Sequence, residues 1–452
     1  MASASLTRGP VFKTLLVYSI PLVVTNVVQL LFHATDVAVL GAMVDDYAVA
    51  AVGACGSLIT LLVSLFTGFA TGANVIVAKR EGARDASGVK RAIGTSLVIG
   101  FVSGVILMII ALIGARQFLI WMNCRPEVLD MATLYMRIYF IGMPIWMLYN
   151  FVSAILRALG DSMRPMIYML VSGVLNVLLN ILFIGALGMT VDGVAIATVV
   201  SSLVSLILAI IALIRSNDGY KIKLKDLKIG GAELSEIVKI GVPTCFCGIF
   251  FYVANVIISS AVNSISTDSM TANTISGQID GVVYNVGFSI AIACAAMVGQ
   301  CLGAADVDRI RQTMRVSALY VSVASLSVGA ILTLASRPLL SLMTDSESVI
   351  VIAQERLALL CLTYFITSVM EVFSFSLRAL GKQTSTMVVG GICGLAMRGS
   401  WVWLVWPLKK TLGNLFVCYP ITAAIAVAIY VVVYINTMKE LRVNISPAKI
   451  NE

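Results

Sequence analysis

One apolar stretch near the start of the chain carries Asn26, Gln29, His33 and Asp36. Their spacings of 3, 4 and 3 put all four on a single helical face. A carboxylate on such a stripe can take up and release a monovalent cation, because burial disfavours its charged form while a bound cation or a hydrogen-bond donor favours it. Asp36 is therefore the candidate for exchanging H⁺ or Na⁺, with His33, the sole histidine, on its own stripe and with Asn176 and Asn180, four residues apart on the fifth apolar stretch. A bland alternative stands beside this: Asp36 pairs with His33 or an asparagine only to hold helices together, and His33 does ordinary packing. No cofactor is expected, and no metal beyond a Na⁺ near Asp36.

Other apolar stretches carry polar faces of their own. The fourth ends in Tyr149, Asn150, Ser153 and Arg157; the seventh carries Tyr252, Asn255, Ser259 and Asn263 at spacings of 3, 4 and 4. The eighth places Gln278, Gly281, Asn285 and Ser289 on one face, with Asp280 and Tyr284 close by. In the tenth, Thr367, Glu371, Ser374 and Arg378 run at 4, 3 and 4. Polar side chains at bilayer depth are costly unless they face a partner or a watery cavity, so these faces together with Asn26, Gln29 and Arg398 are the candidate lining of a substrate cleft. Asp280 and Glu371 are the further acids, able to neutralise a cationic substrate, to relay protons, or to pair with Arg378 or Arg398. Met143, Trp146, Met147, Trp401, Trp403 and Trp406 suit a soft pocket, and interface anchoring explains the tryptophans equally well. Cys245 and Cys247 have no second ligand pair, which argues against a metal site.

The stretches that hold these residues are membrane spans. Of 452 residues 59% are hydrophobic and 12% charged, where a soluble domain carries roughly a quarter charged residues. Runs of about 20 apolar residues, enough to cross a hydrocarbon core of roughly 30 Å, recur from end to end. The pattern predicts twelve spans, at 14–40, 47–78, 92–114, 131–156, 166–187, 193–214, 236–263, 270–300, 314–335, 349–378, 386–407 and 415–438. The first is too long for a signal peptide, carries Asp36 and lacks a small-residue cleavage site. The net charge of +8 is not a nucleic-acid footprint. Lys79, Arg80, Arg84, Lys90 and Arg91 share one loop, and Arg215, Lys221, Lys223, Lys225, Lys228 and Lys239 another. The intervening loops near Asp45, Asp192 and Asp268 hold no Lys or Arg. This alternation predicts that both termini are cytoplasmic.

The chain also repeats itself. Leu-Arg-Ala-Leu-Gly occurs at Leu156–Gly160 and at Leu377–Gly381, an offset of 221 residues, and Val77–Asp85 matches Val298–Asp306 at the same offset. Six spans per half give both repeats the same orientation, related by an axis along the membrane normal. The expected fold is thus all-α, with twelve transmembrane helices in two six-helix lobes about a pseudo-twofold axis. The expected division is a lobe over 1–215, a cytoplasmic linker over 216–239 and a second lobe over 240–452.

The segments Ala34–Gly41, Thr67–Ala73, Leu156–Asp161, Val191–Thr198 and Val298–Gly303 resemble the multidrug and toxic compound extrusion (MATE) family, in that family's order and over nearly the whole chain. The resemblance implies a monomeric transporter of a bacterial cytoplasmic membrane, exporting small, often cationic, amphipathic compounds against H⁺ or Na⁺ by alternating access. It implies Asp36 as the coupling acid of the first lobe. Two positions depart from the family pattern: Asn180 stands where many members carry a second acid, and Tyr252 where the sodium-coupled branch often has one. A lipid-linked oligosaccharide flippase is the alternative of related architecture; it calls for a basic cleft, and intramembrane arginine looks sparse apart from Arg398. An integral-membrane prenyl transferase needs a second acidic motif to accompany Asp45 and Asp46, and a channel needs a filter-like loop within a span.

Overall fold

The computed structural model of the protein describes residues 6–122, 124–215 and 228–445, and among them every regular element is helical. The elements are α1 (Val11–Met43), α2 (Asp46–Gly82), α3 (Ala86–Trp121), α4 (Pro126–Ile141), α5 (Met143–Ala158), α6 (Met163–Asn180), α7 (Val191–Ile214) and α8 (Gly231–Asn263). There follow α9 (Thr267–Gly303), α10 (Val307–Leu334), the short α11 (Ser336–Ser341), α12 (Glu347–Ala379), α13 (Gln383–Val389), α14 (Met397–Ser400), α15 (Leu412–Phe416) and α16 (Cys418–Ile445). A widened π-helical turn, Ile181–Ala186, extends α6, and two more, Gly390–Ala396 and Trp401–Val405, flank α14.

Among the described residues eleven helices are long and apolar enough to cross a bilayer, and the bent pair α4–α5 makes a twelfth span. The twelve predicted crossings are therefore present, with one change of shape. The fourth, read as one helix over 131–156, bends by 48° between α4 and α5. Pro144 sits in the first turn of α5, where its missing N–H and its ring break the hydrogen-bond ladder from α4.

The chain forms two compact units. One comprises Val24–Cys245 and the other Leu6–Val23 with Phe246–Glu452. The sequence-based boundaries at 215 and 239 fall inside the first unit, and linker residues 216–227 lie outside the described residues. The first helix of each repeat changes unit part-way along, α1 after Val23 and α8 after Cys245, in each case just beyond an internal proline, Pro21 and Pro243.

Local chemistry explains both memberships. In the first unit, the start of α8 is tied down by an ion pair from Arg91 to Glu233 at 2.8 Å and by Gly230 N–H donating to Thr95 at 3.0 Å. Further along, α8 lies so close to α2 that a Cβ on Gly72 would stand 2.6 Å from the Ile237 carbonyl, and one on Gly68 equally close to that of Gly241. Small residues at helix contacts permit this approach in lipid, where no hydrophobic force drives helices together. In the second unit, the start of α1 buries Leu15, Tyr18 and Leu22 against Ala293, Ala296 and Met297 of α9. Arg309 of α10 donates to the carbonyls of Leu6, Arg8 and Gly9 at 3.3, 2.9 and 3.1 Å.

The repeat seen in the sequence is a repeat of backbone geometry. Arg84 and Ala305, 221 positions apart, both turn left-handed at φ 56° and 55°, and Gly160 and Gly381 do so at 89° and 83°. After each first turn an aspartate caps the next helix: Asp85 accepts from Gly88 N–H and Asp306 from Arg309 N–H, both at 2.9 Å. Those capping bonds from Gly88 and Ser87 hold the loop carboxyl of Asp85 below its usual range.

Candidate functional site

Each unit contains its own buried polar cluster. In the first unit Asp36, on α1, is 8% exposed and Asn180, at the end of α6, is fully buried. Asn180 Nδ2 donates to Asp36 Oδ1 at 2.6 Å and to Asn176 Oδ1 at 3.3 Å. Asn176 Nδ2 in turn donates to Thr198 Oγ1 of α7 at 3.3 Å, and Thr198 bonds back to its own helix through Val194 O at 3.0 Å. The result is a ladder of oxygen and amide groups across three helices, with Tyr135 and Tyr139 of α4 in the electrostatic field of the carboxylate.

Two features of the ladder matter chemically. Asp36 pairs with no lysine or arginine among the described residues, and the bond it accepts there comes from the Asn180 amide. Asn180 Oδ1 is buried without a donor among the described residues, and an unsatisfied buried acceptor beside a carboxylate is costly. Oxygen atoms of Asp36, Asn176, Asn180 and Thr198 are the hard donors that a small cation prefers.

The stripe and the asparagine pair predicted from spacing thus meet in space at Asp36, Asn176 and Asn180. The His33 side chain lies outside the described residues. Asn26 and Gln29 are half-buried on α1. Tyr149 and Asn150 are held elsewhere: the Tyr149 hydroxyl donates to Pro165 O at 3.1 Å, and Asn150 Nδ2 donates to Trp146 O of its own helix at 2.9 Å. Thr198 and the two tyrosines were not singled out from sequence. Thr198 had a signal, since it begins a face continued by Ser201 and Ser205 on α7.

The second unit is built differently. Asp280 of α9 forms an ion pair with Arg356 of α12 at 2.8 Å, both side chains being nine-tenths buried, and the Tyr364 hydroxyl lies 3.5 Å from the same carboxylate oxygen. Arg356 Nη1 also donates to Ser276 at 2.8 Å, and the guanidinium lies 4.9 Å over the Phe416 ring. This corrects the sequence reading, in which Asp280 was offered Arg378 or Arg398 as partners. Arg356 precedes Thr367 by eleven residues, three helical turns along the same face, so the polar stripe of α12 extends further than was read.

Glu371, Arg378 and Arg398 line one cavity of about 70 Å³. Arg378 donates to Ser374 at 2.9 Å and lies 4.6 Å over Phe375. Arg398 donates through Nε to Thr422 at 3.3 Å and lies 4.4 Å over Tyr419. Both arginines are at most 5% exposed. With Arg356 they make the interior of this unit richer in arginine than the sequence suggested, where Arg398 stood nearly alone.

The remaining predicted residues distribute around this frame. Tyr284 stacks between Phe251 and Phe288 at 5.8 and 5.9 Å, and Phe288 meets Phe375 edge-on at 5.3 Å. Tyr252 packs edge-on against Phe251. Asn255 Oδ1 accepts from the Tyr419 hydroxyl at 2.8 Å. Asn285 Nδ2 donates to Gly281 O of its own helix at 2.9 Å. Thr367 is buried, and Gln278 is exposed.

Comparison with known proteins agrees with this architecture. The profile of the MatE family matches residues 21–182 and 243–397, one block in each repeat. A probable multidrug resistance protein, YoeA of Bacillus subtilis strain 168, is 26% identical over 435 residues, covering 94% of this chain and 93% of its own. The multidrug export protein MepA of Staphylococcus aureus strain MRSA252 is 27% identical over 236 residues, 52% of each chain. A solved MATE structure in a bent conformation superposes with a TM-score of 0.89 over 98% of both chains, at 22% identity, a likeness of fold. With one family block in each of its two six-span repeats, the chain belongs to the MatE family of multi-pass membrane transporters.

Proposed function

We propose that this protein is a secondary active antiporter that exports small organic compounds in exchange for H⁺ or Na⁺ taken up at Asp36. The observation that carries the reading is the buried carboxylate of Asp36, bonded to Asn180 at 2.6 Å and left without a basic partner among the described residues. A fixed lysine or arginine would neutralise it permanently; a mobile cation does so reversibly, and that reversibility is what coupling requires. The multidrug names carried by YoeA and MepA support small organic compounds as cargo.

The ladder supplies a physical route from ion to conformation. Ionised Asp36 accepts the Asn180 N–H. A proton on Asp36 makes one carboxyl oxygen a donor, for which Asn180 Oδ1, unpaired among the described residues, is the acceptor at hand, and turning the amide to meet it re-pairs the links to Asn176 and Thr198. A Na⁺ would instead draw the same oxygen atoms inward. Either event changes how α1 is held against α6 and α7, and a state stabilised by the cation is then favoured over one that is not. The protein works as a monomer in a bacterial cytoplasmic membrane with both termini cytoplasmic, as the basic loops predict.

The test is dye efflux from vesicles with H⁺ and Na⁺ gradients imposed separately, comparing the wild type with Asp36→Asn. Gradient-driven efflux is expected to disappear in the variant. Efflux at the wild-type rate under both gradients would reject Asp36 as the coupling residue.

A further inference from the structure

The cavity of the second unit has a charge imbalance that its own residues do not resolve. Arg378 and Arg398 line it against a single carboxylate, Glu371. Asp280 is not available to balance them, being engaged by Arg356 at 2.8 Å. Arginine stays protonated at any physiological pH, so a positive surplus remains whether Glu371 is ionised or not. Neither cavity arginine closes an ion pair with Glu371, and Arg398 Nη1 is buried with no acceptor among the described residues. An uncompensated guanidinium at bilayer depth is expensive, and a site that keeps one has a use for it.

The walls suit a ligand with an apolar body. Phe251 and Met370 face the cavity, Phe251 beginning the aromatic row through Tyr284 and Phe288 to Phe375 beneath Arg378. The widened turn Gly390–Ala396 opens one side, and a Cβ on Gly394 would meet nothing within 4 Å, so that wall faces free space. The enclosed space is about 70 Å³, room for an acidic head group, and the cavity is open on one side for the apolar body.

We infer that this cavity binds the acidic group of a small aromatic or amphipathic organic acid, with Arg398 pairing the carboxylate and Arg378 supplying the field. The ligand then carries the missing negative charge, while Glu371 sets an upper limit on how much it may carry and leaves room for an amine on the same molecule. This rests on the reading of the chain as an exporter of small organic compounds, and it reverses the preference for cations that the sequence resemblance implies.

The experiment uses the full chain in nanodiscs without any gradient, so failure of Asp36 as a coupling residue leaves the readout untouched. Calorimetry compares 2-naphthoate with 2-naphthylmethylammonium, the same apolar body with opposite charge. Naphthoate is expected to bind about tenfold more tightly or better, and Arg398→Met to remove about tenfold of that affinity, as loss of a charge-assisted bond requires. Glu371→Gln is expected to strengthen naphthoate binding, and Gly394→Leu to block it by filling the cavity without touching a charge. The inference is overturned if wild type binds the ammonium probe as tightly as the acid, a comparison that stands even where Arg398→Met does not fold. It is equally overturned if Gly394→Leu leaves naphthoate affinity unchanged, or if equimolar chloride displaces the acid completely, which marks an inorganic anion site.

Discussion

The two units share a fold and differ in how they handle buried charge. In the first, one carboxylate, Asp36, accepts from the Asn180 amide and has no lysine or arginine partner among the described residues. In the second, Asp280 is locked to Arg356, and Arg378 and Arg398 confront a lone Glu371. A carboxylate without a fixed cation leaves its charge to be matched by a mobile one, whereas a carboxylate clamped by a guanidinium at 2.8 Å has its charge matched within the fold. Two copies of one scaffold thus carry different buried charge, a carboxylate bonded to an amide in one and an ion pair beside two further arginines in the other.

The comparison is broken most severely at Arg356. Arg356→Met leaves Asp280 buried without its partner and is expected to destabilise the second unit by about 3–5 kcal/mol, with the double variant carrying Asp280→Asn as well recovering most of it. Thermal unfolding of the purified protein reads this directly; a small loss in the single variant would mean that Asp280, like Asp36, tolerates exchange. Next in size, Asp36→Asn should keep the protein folded, at a stability change of about 1 kcal/mol, while abolishing gradient-driven efflux. A variant that unfolded instead would make Asp36 structural and erase the contrast between the units.

Asn180→Leu sharpens the same contrast. It is expected to lower stability by about 1–3 kcal/mol by removing the donor to Asp36, and to shift the H⁺ or Na⁺ concentration at which efflux is half-maximal. If only the unfolding temperature moves, the ladder supports the helix contact and not the ion. The smallest effects test the shared scaffold. Gly381→Ala forces a side chain into a turn at φ 83°, and a loss of about 1–2 kcal/mol is expected. Arg84→Gly and Ala305→Gly relieve left-handed turns and should stabilise the protein by up to about 1 kcal/mol, equally in both repeats.

Much of this contrast was legible on one side only. Asp36, Asn176 and Asn180 were found because each lies at helical spacing from another polar residue, and helices of adjacent spans bring such faces together. Asp280 was found as a candidate acid but given the wrong partners, since nothing in a sequence says which of three arginines on α12 and beyond will stand opposite α9. Arg356 was overlooked because the residues three and four positions either side of it, Ile352, Ala353, Leu359 and Leu360, are apolar, so no polar face drew attention to it. Tyr149 and Asn150 look like cleft residues by type, and only the fold reveals that their polar atoms bond to nearby backbone.

Sequence by itself determined the solvent, the twelve crossings and the duplication, because hydropathy, loop charge and the 221-residue offset are properties of the chain read in order. It also determined the geometry of the repeated turns, where a left-handed residue and a capping aspartate act within a few positions. Tertiary structure decided what depends on distance between remote residues: the passage of α1 and α8 between units, the pairing of Asp280 with Arg356 and the surplus of positive charge around Arg398. A buried charge is settled by which partner stands within hydrogen-bond reach of it, and a linear pattern names the charged groups without saying which of them will be neighbours.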